Sequence, residues 1–436
     1  METTFKDNKR NRKYFFKCNI RTFNIIYNMS LTNKIFLSLT LGLVLGSAAN
    51  LLDLGSNIYL IDFIDVPGEL FISSLKMLVV PVVFFSIVCG VSNLSELASL
   101  GRIGGKSVFL YLLTTSIAIS LALLISSIIN PGQNANLGIA TETFIQKQGP
   151  SLKDVIISIV PSNPIKAFAE SNMLQIIFFA VLMGTTISLL KEKTEKIKIT
   201  FNLFNDLFLK MIEIVMYFAP IGVFFLIFKT FVTQGFQAIA DLASYFFTVL
   251  MALIFHFFIS YGGLLLIFTK INIFKFYLKI KDLFLFAFST ASSAATIPIT
   301  LKTVEEKLGV EKSVGSFTVP LGATINMDGT AIMQGVATVF IANAYNIDLV
   351  LVDYLSVILV ATLASIGTAG VPGVGLIMLT MVLNQVGLPA EGIALIIGID
   401  RILDMTRTAV NVTGDAAISC LVAKSENKIN NKTINS

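Results

Sequence analysis

Residues 398–422 read GIDRILDMTRTAVNVTGDAAISCLV, an apolar stretch in which polar side chains recur every three or four positions. These residues, the polar stripe, are Asp400, Asp404, Arg407, Asn411 and Asp415. At about 100° per residue, a helix places all five within a sector of roughly 80°. Inside a membrane, four unpaired charges would cost about 10–14 kcal/mol, since each costs about 2.5–3.5 kcal/mol. Such a helix must turn the stripe toward ions or a polar ligand, or toward an internal ion-pair network.

The composition places the chain in a membrane. Of its 436 residues, 55% are hydrophobic and 14% are charged, with a mean hydropathy of +0.81. A soluble domain carries about 25% charged residues. Apolar segments of about twenty residues can each cross a bilayer, and clear ones lie near residues 33–52, 69–92, 106–130, 171–190, 205–228 and 243–268. We therefore predict an all-α polytopic membrane protein with roughly eight transmembrane helices.

Charged loops predict the orientation. The first 34 residues carry eight Lys or Arg against two acids, whereas residues 53–69 carry acids and no Lys or Arg. The positive-inside rule therefore predicts a cytoplasmic basic extension over 1–32 and a cytoplasmic tail over 424–436. A nucleic-acid-binding arm is the alternative for the basic extension, and Met29 is an alternative start.

Two polar interruptions divide the later part of the chain. FSTASSAATIPITL (288–301) and ASIGTAGVPGVGLIML (364–379) are too short and polar to span, yet apolar arms flank both. Unpaired backbone at membrane depth survives only inside protein or beside a water-filled cavity. We predict two re-entrant helical hairpins around a midplane site, with ordinary glycine-rich loops as the alternative. Residues 33–282 are then mainly scaffold and 283–423 the core transport domain.

A third interruption is GATINMDGTAIMQG (322–335), in which Asn326, Asp328 and Thr330 are spaced by two. An intact helix would point these side chains in different directions. A local unwinding would let them converge and would free carbonyl oxygens for a cation. Tyr111, Thr114 and Thr115 taken alone are typical packing residues.

Two further polar residues are assigned structural roles. His256, the single histidine, lies among phenylalanines, so we expect packing or a lipid interface, far from the polar half of the chain. It belongs to no metal-ligand cluster in the sequence. Arg401 lies about 100° off the polar stripe and is assigned to structure or an interface.

These motifs resemble one family. NMDGT, STASSAATIP, ASIGTAGVPGVG and DRILDMTRTAVNVTGD, together with SLKMLVVPVVF (74–84), are similar to the dicarboxylate/amino acid:cation symporters, the glutamate transporter homologues. The resemblance covers the chain from about residue 30. It implies a homotrimer in a bacterial inner membrane, in which a scaffold holds elevator-type transport domains. It also implies no cofactor beyond the co-transported cation.

The resemblance implies a substrate site. Arg407 would take the side-chain carboxylate of the substrate, because its planar fork suits a bidentate carboxylate. Asp404 would take the ammonium group. The remaining implied substrate-binding residues are Asn411, Thr408, Thr330, Ser292, Ser293, Gly370, Val371, Gly373 and Gly375.

The resemblance also implies three cation sites. The first comprises Gly322, Asn326, Asn411 and Asp415. The second comprises Thr324, Ser365, Ile366 and Thr368, partly through carbonyl groups. The third comprises Tyr111, Thr114, Thr115, Asn326 and Asp328.

Comparison with subgroups of that family refines the substrate. Neutral-amino-acid relatives lack the stripe arginine, and dicarboxylate relatives lack an acid at the ammonium position. Arg407 and Asp404 together favour L-aspartate or L-glutamate. The oxygen ligands favour Na⁺, with H⁺ as the alternative. Some relatives carry an arginine where this chain has Ala291 or Met405, so transport rate or pH response is expected to differ.

Other function classes fit less well. GRIGGKS (101–107) lacks the leading glycine of a phosphate loop, because Leu100 stands there. An intramembrane hydrolase would need an activated nucleophile, and no Ser/His pair is plausible. We therefore expect no enzymatic activity. A passive anion channel stays open as the alternative from another class.

Overall fold

The computed structural model describes most of the chain from residue 29 onward. The described residues are 29, 31–54, 58–97, 102–133, 157, 159–170, 172–234, 237–269, 271–366, 368, 370, 373–430 and 433. They are overwhelmingly helical, and their isolated β-bridge joins Val310 to Ile429. The all-α fold class predicted from the sequence is confirmed. Most of the basic extension 1–32 and most of the polar connection 131–165 lie outside the described residues.

The amino-terminal part consists of long apolar helices. These are α1 (Leu31–Leu51), α2 (Ile58–Leu97), α3 (Arg102–Ile129), the short α4 (Pro164–Ala169), α5 (Met173–Leu190), α6 (Glu195–Tyr217) and α7 (Ala219–Gln234). Glycines let α1 approach α7 closely. A Cβ at Gly42 or Gly46 would lie 2.8 Å from a carbonyl oxygen of α7, so each glycine allows backbone contact there.

One further long helix links the two halves of the chain. It runs as α8 (Gln237–Phe255), a π-helical turn (His256–Tyr261) and α9 (Gly262–Thr269). A π-turn inserts an extra residue into the helix and often marks a functional site.

Four described helical segments are long and apolar enough to cross a bilayer, namely Asn33–Leu51, Ile61–Ser92, Arg102–Ile129 and Ala240–Thr269. The pair α6 and α7, bent by 52° at its break, would make a fifth span. The prediction of roughly eight spans stays a prediction.

The carboxy-terminal part consists of shorter, interrupted helices. These are α10 (Ile273–Thr290), α11 (Ser293–Lys302), α12 (Lys312–Ile325), α13 (Asp328–Ala344), α14 (Leu351–Ser365), α15 (Val374–Gln385) and α16 (Ile393–Ser425). The pairs α10–α11 and α14–α15 form two helical hairpins. The chain reverses in the first hairpin at Ala291, whose φ of +49° is left-handed. Ser292 then caps α11 by accepting a hydrogen bond from Ala295 N.

The two hairpin tips touch. Ser292 Oγ donates a hydrogen bond of 2.7 Å to Gly370 O, and Ala294 N donates to the same oxygen at 3.3 Å. The first hairpin supplies a side chain and the second a carbonyl group. The serine-rich and glycine-rich motifs therefore meet inside one site.

The chain end after α16 packs back against the rest of the protein. The helix itself extends two residues into the predicted tail. Glu426 accepts hydrogen bonds from Lys106 at 2.5 Å and Arg102 at 2.9 Å. Asn430 N donates to Gly309 O at 2.7 Å. Residues 426–430 therefore pack against α3 and the turn that precedes α12.

Candidate substrate and cation site

The polar stripe of α16 is buried. Asp400, Asp404, Arg407, Asn411 and Asp415 are all 8% exposed or less. Their helix packs against α3, α10, α12 and α13, so the stripe faces protein. The site is built around this helix.

Arg407 is neutralised within its own helix. Its Nη1 lies 2.7 Å from Asp400 Oδ1, and its Nη2 lies 2.9 Å from Asp404 Oδ1. The side chain of Arg407 is 1% exposed, and its Nε has no hydrogen-bond partner among the described residues. The ion pairs lie within one helix and include Arg407 and Asp404, two of the residues predicted to bind the substrate. Asp400, which was given no role in the predicted site, is the nearest partner of Arg407.

Several predicted substrate-site residues lie beside Arg407. A Cβ on Gly375 would be 3.2 Å from Arg407 Nη2 and 3.4 Å from Thr330 Cγ2. Thr408 Oγ1 donates to the carbonyl of Asp404 within α16. Ser293 is buried and lies against Gly370.

The predicted tip residues do not all face Arg407. A Cβ at Gly373 would be 3.1 Å from Met216 on α6, so this glycine lies against an amino-terminal helix. Val371, also predicted to bind substrate, lies outside the described residues.

The first predicted cation set comes together. Asn326 Nδ2 donates to Asn411 O at 2.7 Å and to Asp415 Oδ1 at 2.8 Å. A Cβ on Gly322 would overlap Asp415 Oδ1, so only glycine fits there. Asn326 Oδ1 is buried and has no hydrogen-bond partner among the described residues, which leaves one oxygen free for a ligand.

The third predicted cation set comes together in part. Thr115 Oγ1 donates to Asp328 Oδ1 at 2.5 Å, while Tyr111 Oη donates to Thr318 O at 3.0 Å. Thr114 bonds only to its own helix, through Tyr111 O. All are buried. The hydroxyl groups of α3 therefore face α12 and α13.

The second predicted set is not joined by side-chain hydrogen bonds within the described residues. Thr324 Oγ1 donates to Leu321 O, Ser365 Oγ to Thr362 O and Thr368 Oγ1 to Ala364 O. Each hydroxyl is thus satisfied locally. Ile366 lies at the end of α14, where the helix stops and carbonyl groups lose their helical partners.

The break between α12 and α13 is where the spacing predicted it, at Asn326 and Met327. Two of the three side chains converge. Asp328 accepts a hydrogen bond from Tyr261 Oη, and Asn326 lies beside the same hydroxyl group while it also bonds to α16. Thr330 instead lies beside Gly375.

Comparison with known proteins bears on this arrangement. Residues 31–425 match the model of the sodium:dicarboxylate symporter family. The chain belongs to that family. It is 35% identical to a proton/sodium-glutamate symport protein of Geobacillus stearothermophilus, over 91% of this chain and 94% of the relative. It is 34% identical to the proton/glutamate-aspartate symporter of Escherichia coli K12, over 92% and 94%, and 33% identical to a C4-dicarboxylate transport protein of Bacillus subtilis, over 83% and 87%.

His256 of this symporter packs inside the protein, which was one of the two expected environments, but the prediction that it lies far from the polar half is wrong. Its side chain is 0% exposed, and its Nε2 lies 3.0 Å from Asp328 Oδ2. Tyr261, five residues later, donates to the same oxygen at 2.7 Å. The π-turn brings both rings to one carboxylate, and the rings pack edge to face. His256 lies within the polar half, at a predicted cation site.

Sequence reasoning also missed Tyr261. A signal existed, because a histidine and a tyrosine in an apolar membrane helix each require a polar partner. The sequence offered no way to identify that partner, since Asp328 lies 67 residues beyond Tyr261.

Proposed function

We propose that this symporter imports L-aspartate or L-glutamate, coupled to a cation gradient. One observation carries the proposal: a fully buried guanidinium, Arg407, and a carboxylate one helical turn away, Asp404, face each other on α16. Together they match the two ends of an acidic amino acid. A neutral amino acid would leave Arg407 without a carboxylate, and a dicarboxylate would leave Asp404 without an ammonium group.

Substrate binding exchanges partners within the site. Arg407 is held by Asp400 and Asp404. The substrate's side-chain carboxylate takes the guanidinium, and its ammonium group takes Asp404. Asn411, Ser293 and backbone N–H groups of the second hairpin hold the α-carboxylate. Each exchange gives Arg407 and Asp404 a new charge-assisted hydrogen bond, whereas Asp400 gives up its bond to Arg407.

Na⁺ is the favoured coupling ion. Its ligands would be the carboxylate of Asp415, the free oxygen of Asn326 and the hydroxyl groups around Asp328, since hard cations take oxygen ligands. The membrane potential of a cell at −100 mV opposes the entry of a substrate of net charge −1 by about 2.3 kcal/mol. One monovalent cation cancels this term, and a second makes strong accumulation possible. H⁺ coupling is the alternative.

Assembly and location form part of the proposal. The symporter is a homotrimer in a bacterial inner membrane, with both termini cytoplasmic. Its scaffold helices hold mobile transport domains that move by an elevator mechanism. It carries no resident cofactor and catalyses no covalent chemistry.

Uptake of radiolabelled L-aspartate into proteoliposomes tests the proposal, with an imposed Na⁺ gradient, an imposed H⁺ gradient or neither. Concentrative uptake under one gradient, if it is lost in Arg407→Ala and Arg407→Lys, supports an acidic amino acid symporter. The gradient that drives the uptake identifies the coupling ion. Equilibration without accumulation under every gradient supports a passive channel instead. Accumulation of succinate in place of aspartate would make the substrate a C4-dicarboxylate.

A further inference from the structure

Arg401 lies at the edge of the charged cluster on α16. Its side chain is 18% exposed, and its Nη1 lies 3.5 Å from Asp404 Oδ2. It also acts electrostatically on Asp400. One of the two acids that neutralise Arg407 therefore also contacts a second arginine, and the other, Asp400, precedes that arginine in the chain.

These residues line a crevice between α16 and the amino-terminal helices. The crevice is small, with a volume of about 20 Å³, which is room for about one water molecule. Asp400, Arg401 and Asp404 line one side, and the other side is largely apolar, with Ile35 and Phe71 among its residues.

Substrate binding creates a need for a further positive charge. Two acids and two arginines balance in the charged cluster. If Arg407 turns to the substrate and Asp404 takes the ammonium group, Asp400 loses its partner. Asp400 is 4% exposed, and a buried charge without a partner strongly disfavours the state that contains it. The substrate-bound state therefore needs a replacement counter-ion for Asp400.

We infer that Arg401 is this replacement counter-ion, a positioning residue that holds Asp400 and Asp404 when Arg407 turns to the substrate. The inference rests on the proposed function. Its planar fork can serve two carboxylates at once, whereas a lysine presents a single point charge. Without Arg401, the negative charge of Asp400 would remain beside Arg407 and repel the substrate's carboxylate. The residue thus favours binding of an acidic substrate without touching it.

The test uses the full chain in proteoliposomes and measures KM and Vmax for L-aspartate. We expect Arg401→Gln to raise KM about tenfold or more, with a smaller change in Vmax, and Arg401→Lys to have an intermediate effect. Adding Asp400→Asn to Arg401→Gln removes the anion that needs the counter-ion, so KM should return toward the wild-type value. A residue that only packs at the crevice would not show this rescue.

Arg102→Gln is the matched control, because it removes an arginine paired with Glu426, about 33 Å along α16 from Asp404. A KM for Arg401→Gln within twofold of wild type overturns the inference, as does a double variant no better than the single one. If Arg401→Gln does not reach the membrane, the comparison of Arg401→Lys with wild type decides. A wild-type protein that does not accumulate aspartate refutes the proposed function instead.

Discussion

His256 Nε2 lies 3.0 Å from Asp328 Oδ2, and both side chains are completely buried. The same carboxylate accepts hydrogen bonds from Tyr261 and Thr115. A single aspartate thus joins α3, the π-turn and α13. Any cation that binds Asp328 meets a carboxylate whose orientation three other side chains have already fixed.

His256→Ala should weaken cation dependence. Removing one partner of a buried polar group costs about 1–3 kcal/mol, and the freed carboxylate can rotate. We expect the cation concentration for half-maximal aspartate uptake to rise about tenfold, and His256→Gln, which keeps a donor, to rise less. Ile259→Ala, at an exposed position of the same turn, is the control. Equal cation dependence in His256→Ala and wild type would contradict this role.

Gly322→Ala should disrupt the first cation set. The added Cβ would overlap Asp415 Oδ1 and lie 2.6 Å from Tyr111 Oη. Overpacking of this kind costs about 1–3 kcal/mol, here by displacing a predicted cation ligand. Cation titrations of uptake should show at least a several-fold loss of apparent affinity. Gly263→Ala, whose Cβ would meet nothing within 4 Å, should leave affinity unchanged and can stabilise its helix by up to about 1 kcal/mol.

We expect the second hairpin to act as a gate that closes only when both substrate and cation are bound, so Gly370→Ala should uncouple transport. A Cβ there would lie 2.9 Å from Ala323 O and 3.1 Å from Ala294 N, and would force the two hairpin tips apart. A penalty of about 1–3 kcal/mol on closure raises the open population about fivefold or more. Cation flux without aspartate, measured against Gly105→Ala, should rise accordingly. Tight coupling in the variant would argue against closure of the second hairpin as the coupling step.

Glu426→Gln should weaken the attachment of the chain end to α3. The hydrogen bond from Lys106 lowers the pKa of Glu426, with a further contribution from Arg102. A lowered folded-state pKa means that the ion pairs stabilise the protein above the ordinary value of 4.5 and that this contribution is lost as pH falls below it. The Tm of wild type should therefore exceed that of Glu426→Gln at neutral pH, and the two should converge below pH 4.5. A constant difference across that range would exclude the ion pairs as its source.

Local patterns predicted much of this structure. The spacing of the polar stripe predicted that its five residues share one face of a buried helix, and the spacing by two at Asn326 and Asp328 predicted the break between α12 and α13. Both features follow from helix geometry alone. The serine-rich and glycine-rich motifs likewise predicted hairpins, because polar backbone at membrane depth has few other solutions.

The pairing of residues could not be predicted in the same way. Asp328 meets a histidine 72 residues earlier in the chain, and periodicity carries no information about contacts between helices. The π-turn at His256 adds a residue to the helix and shifts which side chains share a face, so regular helix geometry misplaces it. The closed pairing of Arg407 with Asp400 depends on rotamers, which spacing does not specify.

The order of the buried charged residues and their partners along the chain matters for insertion into the membrane. The partners of Asp328 all precede it, Asp415 meets an Asn326 that precedes it, and Arg407 pairs within its own helix. A polypeptide that enters the membrane from its amino terminus therefore never has to hold one of these three charges in lipid while its partner is still being synthesised. The order in which these residues are synthesised therefore allows each charge to pair as soon as its own helix enters the membrane.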